Sequence, residues 1–205
     1  MKPSQAITPR HRFSFVALVL VCIVTVGWGS SVSHGSQVSD FPLRLTVGGT
    51  SLHRVGTGLR EFFFFDIYTL GAYSESGACD PAEMITRDEA KYIRLRLERD
   101  IPRERMTSTL KDSLEKNLLP GASEGLKRQV GQFLALFRTD LKGGTLVEIA
   151  YLPGKGTILK QGGRRLGSFI VGKDLSDTIW RAYFGRDTCC SDLKADILRQ
   201  CRAQG

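Results

Sequence analysis

Histidine is the scarcest of the catalytic residue types here, and that scarcity excludes more than any other count. Of three histidines, His11 and His34 lie in or beside an N-terminal leader, so His53 alone is certain to belong to the folded body. Mechanisms that need two or three imidazoles, the usual His-rich zinc sites among them, fail on inventory. A Ser/His/Asp or Cys/His arrangement would rest on His53, whose neighbours Leu52 and Arg54 mark a surface position on a strand. Cysteine is better represented. With Cys22 in the leader, Cys79, Cys189, Cys190 and Cys201 form an even set, suited to disulfides in an oxidising compartment. Cys79 can bridge to Cys189, Cys190 or Cys201. Cys190 and Cys201 flank an expected helix and stand roughly 16 Å apart along its axis, beyond the ~7 Å Cα reach of a disulfide. Cys189-Cys190 could be a redox pair, but adjacent cysteines close only a strained eight-membered ring and no C-x-x-C is present. Structural disulfides or free thiols are therefore the expected roles.

Other chemistry-bearing strings resolve to structure. Tyr151–Thr157 (YLPGKGT) holds Gly, Lys, Gly and Thr but lacks the phosphate-loop spacing, and it joins two expected strands instead of opening a helix. A β-turn centred on Pro153 and Gly154 explains it. Arg94, Arg96, Arg99, Arg103 and Arg105 could attract nucleic acid or an anionic membrane. Glu98, Asp100 and Glu104 are interleaved with them, so a solvated strand edge and helix start is expected, with no nucleic-acid partner. No paired carboxylates or Asp-rich loop point to a metal or a glycosidase, and no cofactor or metal is expected.

The chain has 205 residues, 29 of them basic and 21 acidic, with a formal charge of +8. Residues 1–33 hold Lys2, Arg10 and Arg12 and no acid, so without them the excess falls to +5. Their order is basic, then apolar over Phe13–Trp28, then small or polar, which is that of a secretory signal. Sixteen apolar residues fall short of the roughly 20 a spanning helix needs. Cleavage after Ser33 is expected, and a membrane tether follows only if the leader stays uncut. Val21 before Cys22 argues against lipidation. The division is thus a signal peptide over 1–33 and one domain over 34–205, periplasmic or secreted. About 170 residues can bury a core without metals.

The elements that must position any site follow from periodicity. Phe41–Val47 alternates and turns at Gly48-Gly49 into Thr50–Val55, a hairpin signal. Glu61–Tyr73, with Phe62–Phe65 inside it, reads as a central strand buried on both faces. Asp80-Pro81 opens a short helix. Lys91–Glu98 alternates Ile93, Leu95 and Leu97 inward against Tyr92, Arg94 and Arg96. Asp100 is the expected cap of a helix carrying Met106, Leu110, Leu114 and Leu118 on one stripe. A second helix carries Leu126, Val130, Phe133, Leu134 and Phe137. Strands over Thr145–Tyr151, Lys155–Gln161 and Arg164–Ile170 precede two helices near Lys173–Phe184 and Ser191–Ala203. That order is α+β, a mainly antiparallel sheet with helices on one face.

Four strings in this order resemble one known family. They are Gly58-Leu59-Arg60 before FFFFDIYTLGAY, the arginine-rich strand before Asp100-Ile101-Pro102, Tyr151–Thr157, and Gly167–Gly172 through Trp180, Gly185 and Ser191-Asp192-Leu193-Lys194. The chain resembles the chalcone isomerase-like family from about Phe41 to Leu198, closest to its exported bacterial branch. The resemblance implies an open-faced β-sandwich with a large antiparallel sheet, a helical layer and a ligand cleft between them. Plant members close a chalcone into a flavanone, and non-enzymatic relatives bind fatty acids. In both, an arginine meets the anionic oxygen of the ligand, and Arg60 is the matching residue. A planar guanidinium holds a carboxylate or enolate bidentately and stays charged when partly buried. Tyr68 falls where the enzymes carry a threonine, and Ala182, beside Tyr183, where they carry another. The start of the first long helix reads Arg103-Glu104-Arg105-Met106, without the family's tyrosine.

The resemblance and these departures together favour a non-catalytic binder of a fatty acid or other small amphipathic anion. Arg60, Tyr68, Met106 and Tyr183 would be its ligand-binding residues, in a greasy pocket with few polar groups. The alternatives are an isomerase or intramolecular lyase in which Arg60 is catalytic and stabilises an oxyanion, and a periplasmic scaffold.

Overall fold

Seven apolar segments pair in strict chain order. A computed structural model describes residues 40–203, and the expected signal peptide lies outside them. The strands are β1 (Arg44–Val47), β2 (Thr50–Phe62), β3 (Phe65–Ser74), β4 (Lys91–Leu97), β5 (Leu146–Leu152), β6 (Gly156–Gln161) and β7 (Arg164–Ile170). Every pairing is antiparallel, giving one sheet ordered β1-β2-β3-β4-β5-β6-β7. Gly48-Gly49 and Gly162-Gly163 turn their hairpins at positive φ, where a Cβ would be strained. The phosphate-loop-like string is a turn between β5 and β6, closed by Lys155 N donating to Leu152 O at 3.0 Å.

Five helices complete the chain: α1 (Pro81–Thr86), α2 (Arg103–Lys116), α3 (Glu124–Leu134), α4 (Asp174–Phe184) and α5 (Ser191–Arg202). Asp80 caps α1 by accepting from Ala82 N and Glu83 N. At α2 the expected cap is corrected. Asp100 instead takes Gly143 N and Lys142 Nζ, while Asp140, 37 residues downstream, accepts from Arg103 N. A cap supplied from a distant loop leaves no local sequence signal.

The sheet has two unlike faces. Toward the helices, Leu70, Ile93, Leu95, Leu97, Val147 and Leu159 meet the inner sides of α2 to α5 in the main core. On the opposite face Leu52, Tyr73, Tyr92, Ala150, Leu152 and Ile158 form a smaller cluster. Tyr92 therefore packs in a second core and does not face water. The arginine-rich strand is corrected too, because β4 is the central strand of seven and not an edge.

The largest correction concerns Phe62–Phe65. The run is the tip of the β2–β3 hairpin, with Phe63 at φ 57° and the four side chains 55, 80, 96 and 55% exposed. Continuous hydrophobicity over four residues suits a buried strand and a bare turn equally, since no glycine or asparagine marks this turn.

Candidate functional site

Gly56, Gly58 and Arg60 fall on one side of β2, because strand side chains alternate. At the two glycines that side faces α5. A Cβ would come 2.5 Å from Ile197 O at Gly56 and 2.7 Å from Leu193 O at Gly58. The helix can lie on the strand only because both side chains are missing. Arg60, next along the same face, then reaches the N-terminal end of α5, where Cys189 and Cys190 lead into Ser191. Arg60 is half-buried, and its guanidinium makes no hydrogen bond or ion pair with any described residue.

Tyr68 stands opposite Arg60 in the β2–β3 ladder. Its hydroxyl lies 3.6 Å from Cys190 Sγ, and Tyr183 of α4 is near it. Burial first, then Tyr183 and the two cysteines, push the Tyr68 hydroxyl well above its ordinary pKa. Burial does the same to Tyr183. Both phenols therefore stay protonated at neutral pH.

The two cysteine sulfurs lie 2.6 Å apart, and both are free thiols. The hydrogen bond between them lowers the Cys190 thiol, with Tyr68 and Arg60 adding to the effect, and raises that of Cys189. Ser113 of α2 approaches Cys189, its buried hydroxyl making no well-formed hydrogen bond. Met106, also on α2, packs half-buried against the same core. α2 is the most loosely seated wall. Leu114 is its one fully buried residue, whereas α4 buries eight.

The opposite face holds a cavity of about 310 Å³, lined by Leu45, Val47, Leu152, Ile158, Phe169 and Arg94 among others. Its half-buried Arg94 is matched by Glu148, while the exposed Lys160 and Arg165 line its edge without a carboxylate partner among the described residues. Tyr92 donates to Glu148, which also takes Arg94 Nη2 at 3.0 Å. Burial and the Glu148 bond hold the Tyr92 hydroxyl up. Among the described residues no group of three His, Cys, Asp or Glu side chains could hold a metal ion.

Residues 34–199 match the profile of the chalcone isomerase-like family. The chain belongs to that family. Its seven-stranded antiparallel sheet and helical layer are the expected open-faced sandwich. One solved relative with this fold is an Arabidopsis thaliana fatty-acid binding protein, with TM-score 0.65 and 16% sequence identity. The match covers 80% of this chain and 93% of that one. At such identity the likeness speaks for the fold. No curated protein matches the chain in sequence.

Within the chalcone isomerase-like frame, Arg60, Tyr68 and Tyr183 gather at one place and Met106 lies on the helix that covers it. Ala182, at the family's threonine position, is buried core. Cys189 and Cys190, expected from the sequence as structural or free thiols rather than a redox pair, join this site together with Ser113. The signal available was positional: once Cys79 pairs with Cys201, two adjacent thiols remain at the start of a helix. That pairing is one of the three open to Cys79.

Proposed function

We propose that this chain is an exported, non-catalytic binder of a small amphipathic anion of the fatty-acid class. One observation carries the reading: a half-buried arginine on the helix-facing side of the sheet, with no hydrogen-bond or ion-pair partner among the described residues, across from a half-buried tyrosine. An unpaired charge held partly out of water costs free energy unless an anion completes it. A carboxylate would take two parallel bonds from Arg60. Its chain would lie along Met106 and the apolar side of α2, where one side chain alone is fully buried. The fatty-acid binding relative is consistent with this use of the fold.

The flavanone-forming alternative is disfavoured by Tyr68 and Ala182, where the family's enzymes carry threonines. The tyrosine that enzymes and fatty-acid binders of the family alike carry near the start of α2 is also missing, the residues there being Arg103, Glu104, Arg105 and Met106. Export is supported by the basic-apolar-small leader and by the Cys79–Cys201 disulfide, which persists in oxidising compartments. Membership of the bacterial exported branch belongs to the same proposal.

Native mass spectrometry of the purified protein tests the function. The expected result is a co-purifying fatty acid that is lost in Arg60→Ala. An empty protein that cyclises a chalcone, and stops doing so in that variant, would overturn the reading in favour of the isomerase. A protein that binds neither and captures a specific partner would favour the scaffold.

A further inference from the structure

Cys189 and Cys190 are adjacent in sequence, and their sulfurs touch at 2.6 Å. They occupy the junction where α5, a helix of 12 residues, begins, with Cys190 as its N-cap. Four elements present polar groups to them: Arg60 from β2, Tyr68 from β3, Ser113 from α2 and Tyr183 from α4. Arg60 is the one charged group in that set. A thiol at a helix N-terminus beside an arginine is stabilised as thiolate, by the helix dipole and by the cation together. Cys190 meets both conditions and also receives the Tyr68 hydroxyl at 3.6 Å. A thiolate there is itself an anion near Arg60, so it competes with any ligand carboxylate for the same guanidinium.

We propose that Cys189 and Cys190 form a reversible dithiol–disulfide switch whose reduced form places a thiolate charge near Arg60 without bonding it and whose oxidised form removes that charge. The inference rests on the reading of Arg60 as the anion-binding residue. The oxidant is a small-molecule disulfide. Cys189 is the more exposed sulfur, half-buried where Cys190 is buried. It passes its proton to the Cys190 thiolate across the 2.6 Å contact and attacks first, the proton going on to the leaving half and restoring the Cys190 thiolate. A bond forms between Cys189 Sγ and one sulfur of the reagent, the reagent's own S–S bond breaks, and its other half leaves as a thiol carrying the Cys189 proton. Cys190, as thiolate, then attacks Cys189 Sγ. The mixed disulfide breaks, its second half leaves as thiolate and takes a proton from water, and an eight-membered ring closes. Two protein thiols have lost two electrons and the reagent has gained them. The negative charge near Arg60 is gone, and the guanidinium is open to a carboxylate. Rings of adjacent cysteines are strained and reducible, so a small thiol reverses the step.

The experiment uses the mature protein, oxidised glutathione as oxidant and dodecanoate as probe. Intact and peptide mass spectrometry should show loss of two hydrogens confined to the Cys189-Cys190 peptide, with Cys79–Cys201 unchanged. A lasting glutathione adduct, or no reaction, overturns the switch. Cys190→Ser should trap that adduct on Cys189, and Cys189→Ser should prevent it. Oxidation should tighten dodecanoate binding by about tenfold, the scale of one charge-assisted contact, and Arg60→Gln should erase the difference. Equal affinity of the two wild-type forms contradicts the coupling. If dodecanoate binds neither form, the proposed function fails on its own, and thiolate absorbance still decides the contact. In reduced protein, Arg60→Gln should raise the pH at which Cys190 ionises. An unchanged midpoint removes Arg60 from the switch.

Discussion

The two faces of this sheet treat their charges in opposite ways. On the open face, Arg94 and Arg96 are both spent on protein carboxylates, Glu148 for the first and Asp40 with Glu98 for the second. Arg94 also donates to the Tyr92 hydroxyl and Asp40 O. The cavity there is lined by this paired network, with the exposed Lys160 and Arg165 at its edge. On the helix-facing side Arg60 sits among phenols and thiols and has no carboxylate partner among the described residues. Arginine count and cavity volume would both point to the open face. The balance of partners points to the other one.

The largest effect should come from disturbing the surface that seats α5. Gly56→Val places a branched side chain where even a Cβ would sit 2.5 Å from backbone. Loss of about 3 kcal/mol is expected from chemical denaturation, at the upper end of overpacking costs. A loss below about 1 kcal/mol would mean that α5 is not held as described. Glu148→Ala should rank next. It strands Arg94, 20% exposed at its side chain, and leaves Tyr92 without its acceptor. A cost of about 2 kcal/mol is expected, between surface and fully buried pairs.

A third test concerns Lys91, fully buried on β4, where Nζ donates to Ile85 O at 2.7 Å and Asp177 Oδ1 lies 3.8 Å away. Burial, partly offset by Asp177, lowers its pKa from 10.5 to about 8. A lysine whose folded pKa is depressed is protonated in the unfolded chain while neutral in the folded one. Stability therefore rises with pH above about 8, by about 2 kcal/mol up to about pH 9.5. Beyond pH 10 the buried tyrosines, Tyr73 pushed up to about 12 among them, reverse the slope. Denaturation midpoints across this range should show the rise in the wild type and lose it in Lys91→Met. The smallest effect is expected at the hairpin tip. Phe64, 96% exposed, should change stability by less than about 0.5 kcal/mol when replaced by serine, and a large loss would place it back in a core.

How far these features were legible varies with how local their causes are. The antiparallel sheet, the Gly-Gly turns and the Asp80 cap follow from period and turn chemistry within a few residues, and they stand as read. The Phe62–Phe65 run departs from the expected buried strand because continuous hydrophobicity does not fix burial, and Phe62 instead pairs with Phe65 across the turn. Asp140 as the cap of α2, and Tyr92 as a member of a second core, depend on contacts between distant segments. Arg60 was legible through resemblance alone, since nothing in its own neighbourhood distinguishes it from Arg94. What separates them is the absence of a carboxylate across the strand, which exists only after folding. The adjacent thiols became meaningful the same way, once Cys79 had taken Cys201.

The most direct test sets the two faces against each other in one titration. Calorimetry with dodecanoate would compare the wild type, Arg60→Ala and Glu148→Ala under oxidising conditions. The account predicts that Arg60→Ala binds at least about tenfold more weakly, the loss of a charge-assisted pair, while its stability barely changes. Glu148→Ala should bind within about threefold of the wild type despite its lower stability. Wild-type affinity in Arg60→Ala, or its loss in Glu148→Ala alone, would contradict the account and move the site to the open face.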